Sequence, residues 1–186
     1  YDVSYSTMLE TNTHYTRTPS STGNRRTFTI SVWVKKSVID EGHTIYQQRQ
    51  DANSSQQFQI SFKSDNKIRV IDQSGGTNQC VYDTNRLLRD TSAWYNIVVA
   101  VDTTDGTAAD RCKIFVNNER ITDFSTQIDY TQNYDTSVNT TDRILIGCQR
   151  PNASSTLNNF LDGYLSEFVL IDGQALSPTS FGEVDA

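Results

Sequence analysis

A hydrolase working through paired carboxylates needs two Asp or Glu side chains projected from a scaffold into one cleft. The 186-residue chain has five glutamates, Glu10, Glu41, Glu119, Glu167 and Glu183. Only Glu167 falls on a segment of strong strand character, where pairing with a neighbouring Lys or Arg is the expected role. The one Glu-x-Asp is Glu183-Val184-Asp185, at the tail. His14 and His43 lie in polar stretches with no Ser or Cys motif beside them, so no nucleophile and base pair is legible. The chain therefore reads as non-enzymatic.

Binding chemistry is better supplied. Asp102, Asp105 and Asp110 with Gly106 resemble a loop for a hard, oxygen-liking cation, and calcium held by Asp102 and Asp105 is the metal such a loop suggests. The spacing is not that of an EF-hand, an acidic hairpin loop is more often simply solvated, and no other cofactor is implied. Sugars need aromatic faces for their C–H surfaces and short polar side chains for their hydroxyls. Tyr46, Tyr82, Tyr130 and Tyr134, with Asn78, Asn133 and Asn152 in adjoining loops, could form such a site. The competing reading is that Tyr at a strand edge is half-buried packing. Trp33 and Trp94 are expected in the core or on a sheet face rather than in a platform.

These residues must be positioned by strands. Phe28, Ile30, Val32 and Val34 alternate with Thr29, Ser31, Trp33 and Lys35, and Tyr95, Ile97, Val99 and Val101 alternate with Asn96, Val98 and Ala100. Shorter strands are expected over 45–49, 58–62, 68–71, 111–116, 120–124 and 143–148, with a first strand over 3–9. Turns fall at Ser64-Asp65-Asn66-Lys67 and Asn117-Asn118, the segment 74–78 reads as the loosest by composition, 85–90 as a turn of helix, and 127–142 as a long polar connection. Near the end, a strand from Gly163 to Leu170 and beyond has apolar residues in both phases, Tyr164, Phe168 and Leu170 in one and Leu165, Val169 and Ile171 in the other. Asp172-Gly173 then turns the chain, and Ser177-Pro178 opens a short helical turn. No helical period is sustained, so α/β layering is set aside.

Composition bounds the rest. A hydrophobic fraction of 35% and a net charge of −6 argue for one polar-surfaced domain over 1–186 and against a nucleic-acid partner. No apolar run approaches the length of a membrane span. Three cysteines cannot all pair; Cys112 and Cys148 stand in phase with apolar neighbours, and all three are expected as free thiols, with a bridge from Cys80 to Cys112 or to Cys148 as the alternative. A chain opening on Tyr1 is expected to be a piece of a longer one. Asn53, Asn139 and Asn152 head N-x-Ser/Thr sequons, which arise by chance in so polar a sequence.

Four stretches carry a family resemblance: THYTRTPSSTGNRRTFTISVWVKKS over 13–37, DTSAWYNIVVAVDTT over 90–104, DRCKIFVNNERIT over 110–122 and DGYLSEFVLIDGQALSPTSFGE over 162–183. Together they resemble laminin G-like domains of the concanavalin A-like lectin superfamily, in the version that recurs in structural proteins of marine tailed phages. The resemblance implies an all-β, two-sheet antiparallel jelly-roll sandwich with the strand over 3–9 paired beside 163–170. It implies a virion protein whose partners are other virion subunits, a second copy of the chain, or host-surface glycans. A secreted or cell-surface bacterial carbohydrate-binding module or adhesin is the alternative. Glucanases of that superfamily carry Glu-x-Asp-x-x-Glu on a strand; this chain lacks it.

Overall fold

Residues 5–50, 56–152 and 156–182 are described by the computed structural model. In β3 (Thr27–Lys36) the side chains of Phe28, Ile30, Val32 and Val34 are all buried, and β8 (Tyr95–Asp102) presents Ile97, Val99 and Val101 beside them. Two such strands form an apolar wall that must be covered by a second sheet.

The wall belongs to a six-stranded antiparallel sheet in the order β1-β13-β3-β8-β9-β10. Its other members are β1 (Thr7–Leu9), β9 (Cys112–Val116), β10 (Glu119–Arg120) and β13 (Gly163–Asp172). The cover is a seven-stranded sheet in the order β11-β7-β6-β5-β4-β12-β2. It comprises β2 (Tyr15–Arg17), β4 (His43–Arg49), β5 (Gln57–Phe62), β6 (Ile68–Ser74), β7 (Thr77–Thr84), β11 (Phe124–Ile128) and β12 (Ile144–Ile146). Phe58, Ile60 and Phe62 of β5 meet Phe28 and its neighbours between the sheets, with Phe28 and Phe58 edge to face at 5.8 Å. The jelly-roll sandwich implied by the resemblance is thus the architecture observed. Among the described residues no helix is long and apolar enough to cross a membrane.

The chain ends meet as expected: Thr7, Met8 and Leu9 pair with Leu165, Tyr164 and Gly163. Val3 and Ser4, part of the expected first strand, lie outside the described residues, as do Asn53, Glu183 and Asp185. Cys80, Cys112 and Cys148 are buried free thiols, and burial pushes the Cys148 thiol up to about 11.

Five local expectations are corrected. The two-phase reading of β13 fails because a bulge between Ser166 and Val169 resets the alternation, so Leu165 and Leu170 share the inner face with Phe168. The segment 74–78 is a tight hairpin, with Gly75 and Gly76 both at positive φ (60° and 76°) joining β6 to β7. Residues 85–90 are not helical; Leu88 is pinned by its amide to the Asn66 carbonyl (2.9 Å) and buried. β11 occupies Phe124–Ile128, so the strand expected over 120–124 reduces to β10, and the connection expected over 127–142 begins inside an edge strand. The short β2 was not anticipated.

Candidate functional site

The tyrosines expected at an exposed rim are drawn inward. Tyr46 is 0% exposed and Tyr82 and Tyr130 each 1%, while Tyr134 is half-buried against the core. Each buried ring finds an aromatic neighbour and a polar partner for its hydroxyl, the usual condition for burying tyrosine. Tyr46 stacks on Phe168 (5.8 Å, 15°) and donates to Gln48 Oε1 at 3.1 Å. Tyr82 meets Phe124 edge-on at 4.8 Å and donates to Asp129. Tyr130 stacks on Tyr134 (5.5 Å, 19°) and donates to Asp72 Oδ2 at 2.9 Å. The sugar platform expected from Tyr46, Tyr82 and Tyr130 is therefore not on the surface. Asn133 shapes a turn at φ 61°, and Asn152 is exposed in a separate loop.

The acidic loop is committed locally as well. Asp102 Oδ1 accepts from the Thr104 amide (3.0 Å) and hydroxyl (2.6 Å), and Asp105 Oδ1 accepts from the Thr107 amide (2.8 Å). Arg111 donates to the carbonyls of Asp105 (2.8 Å) and Gly106 (3.2 Å), placing a cation where a metal would need oxygens. Among the described residues no three His, Cys, Asp or Glu side chains are grouped to hold a metal. Asp102 and Asp105 do not fit a calcium site.

The outer face of the seven-stranded sheet is organised differently. On β5, Phe58 and Ile60 face the core, so Gln57 and Gln59 must face out; by register Gln47 and Arg49 of β4 and Gln73 of β6 stand beside them. Their amides form a relay across four strands. Gln47 Nε2 donates to Gln57 Oε1 (2.8 Å), Gln57 Nε2 to Gln73 Oε1 (2.6 Å), and Gln73 Nε2 to Asn78 Oδ1 (2.9 Å). At the other end the Arg150 amide donates to Gln47 Oε1 (2.8 Å), and Gln59 donates to Thr44 (2.9 Å) and to Gln149. Asn78 is the one residue expected at a sugar site that belongs to this face.

Arg49 lies at the centre. Its Nη1 donates to Gln57 Oε1 at 2.7 Å, while its Nε is buried without a hydrogen-bond partner among the described residues. Arg49 is in none of the ion pairs among the described residues. Burial, and then the nearby charge of Arg150, lowers its pKa. Outward side chains here are sheltered for an open sheet face: Arg49 is 6% exposed and Gln59 8%. The face is a recessed floor of amides, each able to donate and accept, around a guanidinium whose Nε–H has no acceptor among the described residues. At the β6–β7 end a second charged group closes the floor: Arg69 grips Asp83 with two bonds of 2.7 Å, and Lys63 adds a third contact at 3.1 Å. Burial raises the Asp83 pKa, but the two cations more than offset it and hold the carboxyl below its ordinary value. The signal for this floor in the sequence was glutamine at the outward position of three successive strands.

A family model described as the Concanavalin A-like lectin/glucanases superfamily matches residues 10–180. No curated protein is similar enough to count as a match. Among solved structures, mouse laminin alpha1 chain domains LG4-5 superpose with a TM-score of 0.67 at 11% identity, over 95% of this chain and 44% of that one. A native heptameric SAP-like pentraxin from Limulus polyphemus gives 0.61 at 15% identity, over 90% and 73%. The CBM40 of Ruminococcus gnavus IT-sialidase bound to alpha2,3 sialyllactose gives 0.59 at 14% identity, over 86% and 81%. At these identities the likenesses establish the fold.

Proposed function

From the premise that this chain belongs to the concanavalin A-like lectin/glucanases superfamily, we propose that it is a non-catalytic glycan-binding module whose site is the outer face of the seven-stranded sheet. The observation that carries this reading is the amide relay beside Arg49, whose accessible end is Gln57, Gln73 and Asn78, with the fully buried Gln47 holding Gln57 in place from behind. A hydroxyl-rich ligand matches such a floor because each hydroxyl can both donate and accept, as each carboxamide can. The ligand need not break the relay: Gln57 Oε1 already accepts two bonds, but Gln57 Nε2, Gln73 Nε2 and Gln73 Oε1 each make one and have one left to offer. Support from the fold is general: a CBM40 bound to sialyllactose shares the architecture.

Binding at a shallow polar floor is weak, in the micromolar to millimolar range per site. Function then depends on repetition, which raises avidity without new contacts. That is what a virion appendage provides, and the run over 163–181, with its resemblance to marine tailed-phage structural proteins, supports placing the module there. In that setting it contacts sibling subunits as well as host-surface glycans. Mass spectrometry of purified particles tests the virion setting: the chain is expected among the structural proteins, and its absence overturns that part of the reading.

The sheet-face site is tested by NMR on the side-chain amides. Adding a panel of neutral and acidic oligosaccharides is expected to shift the NH2 resonances of Gln57, Gln59 and Gln73 together, and a Gln57→Ala variant is expected to lose the effect. Saturable shifts confined to the six-stranded sheet would overturn the assignment.

A further inference from the structure

The two sheets part along one side of the sandwich. β1 is the edge of the six-stranded sheet and β2 the edge of the seven-stranded one, and between them opens a groove of about 230 Å3. Its floor is Ile146 and Phe168, its walls are Tyr5 and Tyr15, and Ser166 and Glu167 stand at the mouth. This is well below the volume of a drug-sized cleft, and suits a single ring.

The walls contrast with the tyrosines of the core. Tyr5 is 89% exposed and Tyr15 49%. Tyr15 is positioned by its side chain, whose hydroxyl donates to Thr7 Oγ1 (3.0 Å) and bridges the two sheet edges, while Tyr5 is held through its backbone, the Ser166 hydroxyl donating to its carbonyl. An aromatic ring held as Tyr15 is binds with little ordering loss.

Glu167 gives the groove its polarity, and its backbone is unusual. It sits at φ 50° in the β13 bulge. The other non-glycine residues at positive φ among the described residues are all Asn or Asp, the types that tolerate that region: Asn12, Asp40, Asn66, Asn117, Asn118, Asn133, Asn139 and Asn159. A glutamate held there by a bulge is a side chain re-aimed against its local preference, as bulges beside sites do.

We propose that the Tyr5–Tyr15 groove is a second saccharide site, binding one neutral pyranose end: the C–H face against tyrosine, and hydroxyls donating to the Glu167 carboxylate. The groove stands on its own observations and does not depend on the sheet-face reading.

The test is a 1H–15N titration of the whole domain with the methyl glycosides of glucose, galactose, mannose and N-acetylglucosamine. At least one is expected to shift the Tyr15, Ser166 and Glu167 amides saturably, with a Kd on the order of 1–10 mM. Tyr15→Ala and Glu167→Gln should each weaken this at least about fivefold while the remaining spectrum stays that of the parent, as a loss of about 1 kcal/mol implies. No groove shift with any glycoside up to about 50 mM overturns the proposal. So do shifts confined to Gln57 and Gln73, which would leave only the sheet-face site, and groove shifts that follow protein concentration without sugar, which would assign the two edges to a second copy of the chain.

Discussion

Asp72 is wholly buried, and three donors converge on it: the Tyr130 hydroxyl at 2.9 Å, the Ser137 amide at 3.1 Å and the Ser137 hydroxyl at 2.7 Å. Burial dominates these favourable bonds and pushes the carboxyl up to about 6. A carboxyl whose folded pKa is raised contributes stability that is fully present below its unfolded pKa, near 3.8, and is lost as pH rises through about 6. Asp72→Asn removes that titration. The unfolding free energy of the variant minus that of the parent is expected to rise by roughly 3 kcal/mol between pH 3.5 and pH 7.5, measured by urea unfolding; a difference flat with pH contradicts the assignment. Tyr130→Phe tests the same cluster from the other side. It should cost about 1–2 kcal/mol by leaving Asp72 one donor short, and leave glycan binding unchanged. Loss of binding at unchanged stability would restore Tyr130 to a rim site. None of this was legible in the sequence, because Asp72 and Tyr130 are 58 positions apart and tyrosine serves equally as surface or core until its partners are known. What was legible was the type of residue available, not the side of the sheet it would face.

Strands with strict alternation were read correctly because burial on one face enforces period two; β3 and β8 are the cases. Where the period is interrupted the reading failed, as at β13, whose bulge moves Leu170 into phase with Leu165. Bulges leave no compositional mark when the residue at the break is Glu rather than Gly. β2 and β11 were missed or misplaced because edge strands with exposed faces have little apolar pattern. Glycine was informative in the opposite sense: it reads as looseness, whereas Gly163 is required by a close approach. A Cβ there would lie 2.1 Å from the Lys35 carbonyl oxygen, in the β13–β3 register. Gly163→Ala should therefore destabilise the domain by about 3 kcal/mol or more, seen as a fall in urea midpoint; a midpoint within error of the parent would mean that β3 and β13 are not so closely opposed. The β9–β10 turn predicts the reverse. Asn117 and Asn118 both hold positive φ, 51° and 64°, so Asn118→Gly should be neutral or stabilising by up to about 1 kcal/mol. A loss of midpoint there would show that the Asn118 side chain contributes more than its backbone conformation.

At the scale of the whole molecule, the sandwich separates two kinds of surface. Apolar side chains and the satisfied tyrosines fill the space between the sheets, while the outer face of the seven-stranded sheet carries amides and a buried guanidinium. The sequence supported the fold through motifs spread along the chain, and the superfamily model over residues 10–180 agrees. It placed the binding residues in loops because loops usually carry function on rigid scaffolds; here the polar relay is built on the strands themselves, where alternation fixes each glutamine's direction. The net charge of −6 makes the Arg49 floor a local exception, and acidic glycans reaching it should bind less well as salt rises. The most direct measurement is a glycan array probed with the multimerised domain beside the same multimer carrying Gln57→Ala and Gln73→Ala. Specific glycans bound by the parent and lost in the variant, with both proteins unfolding at similar urea concentrations, is the predicted result. Silence from the parent, or the same glycans bound equally by the variant, would contradict a site on this face.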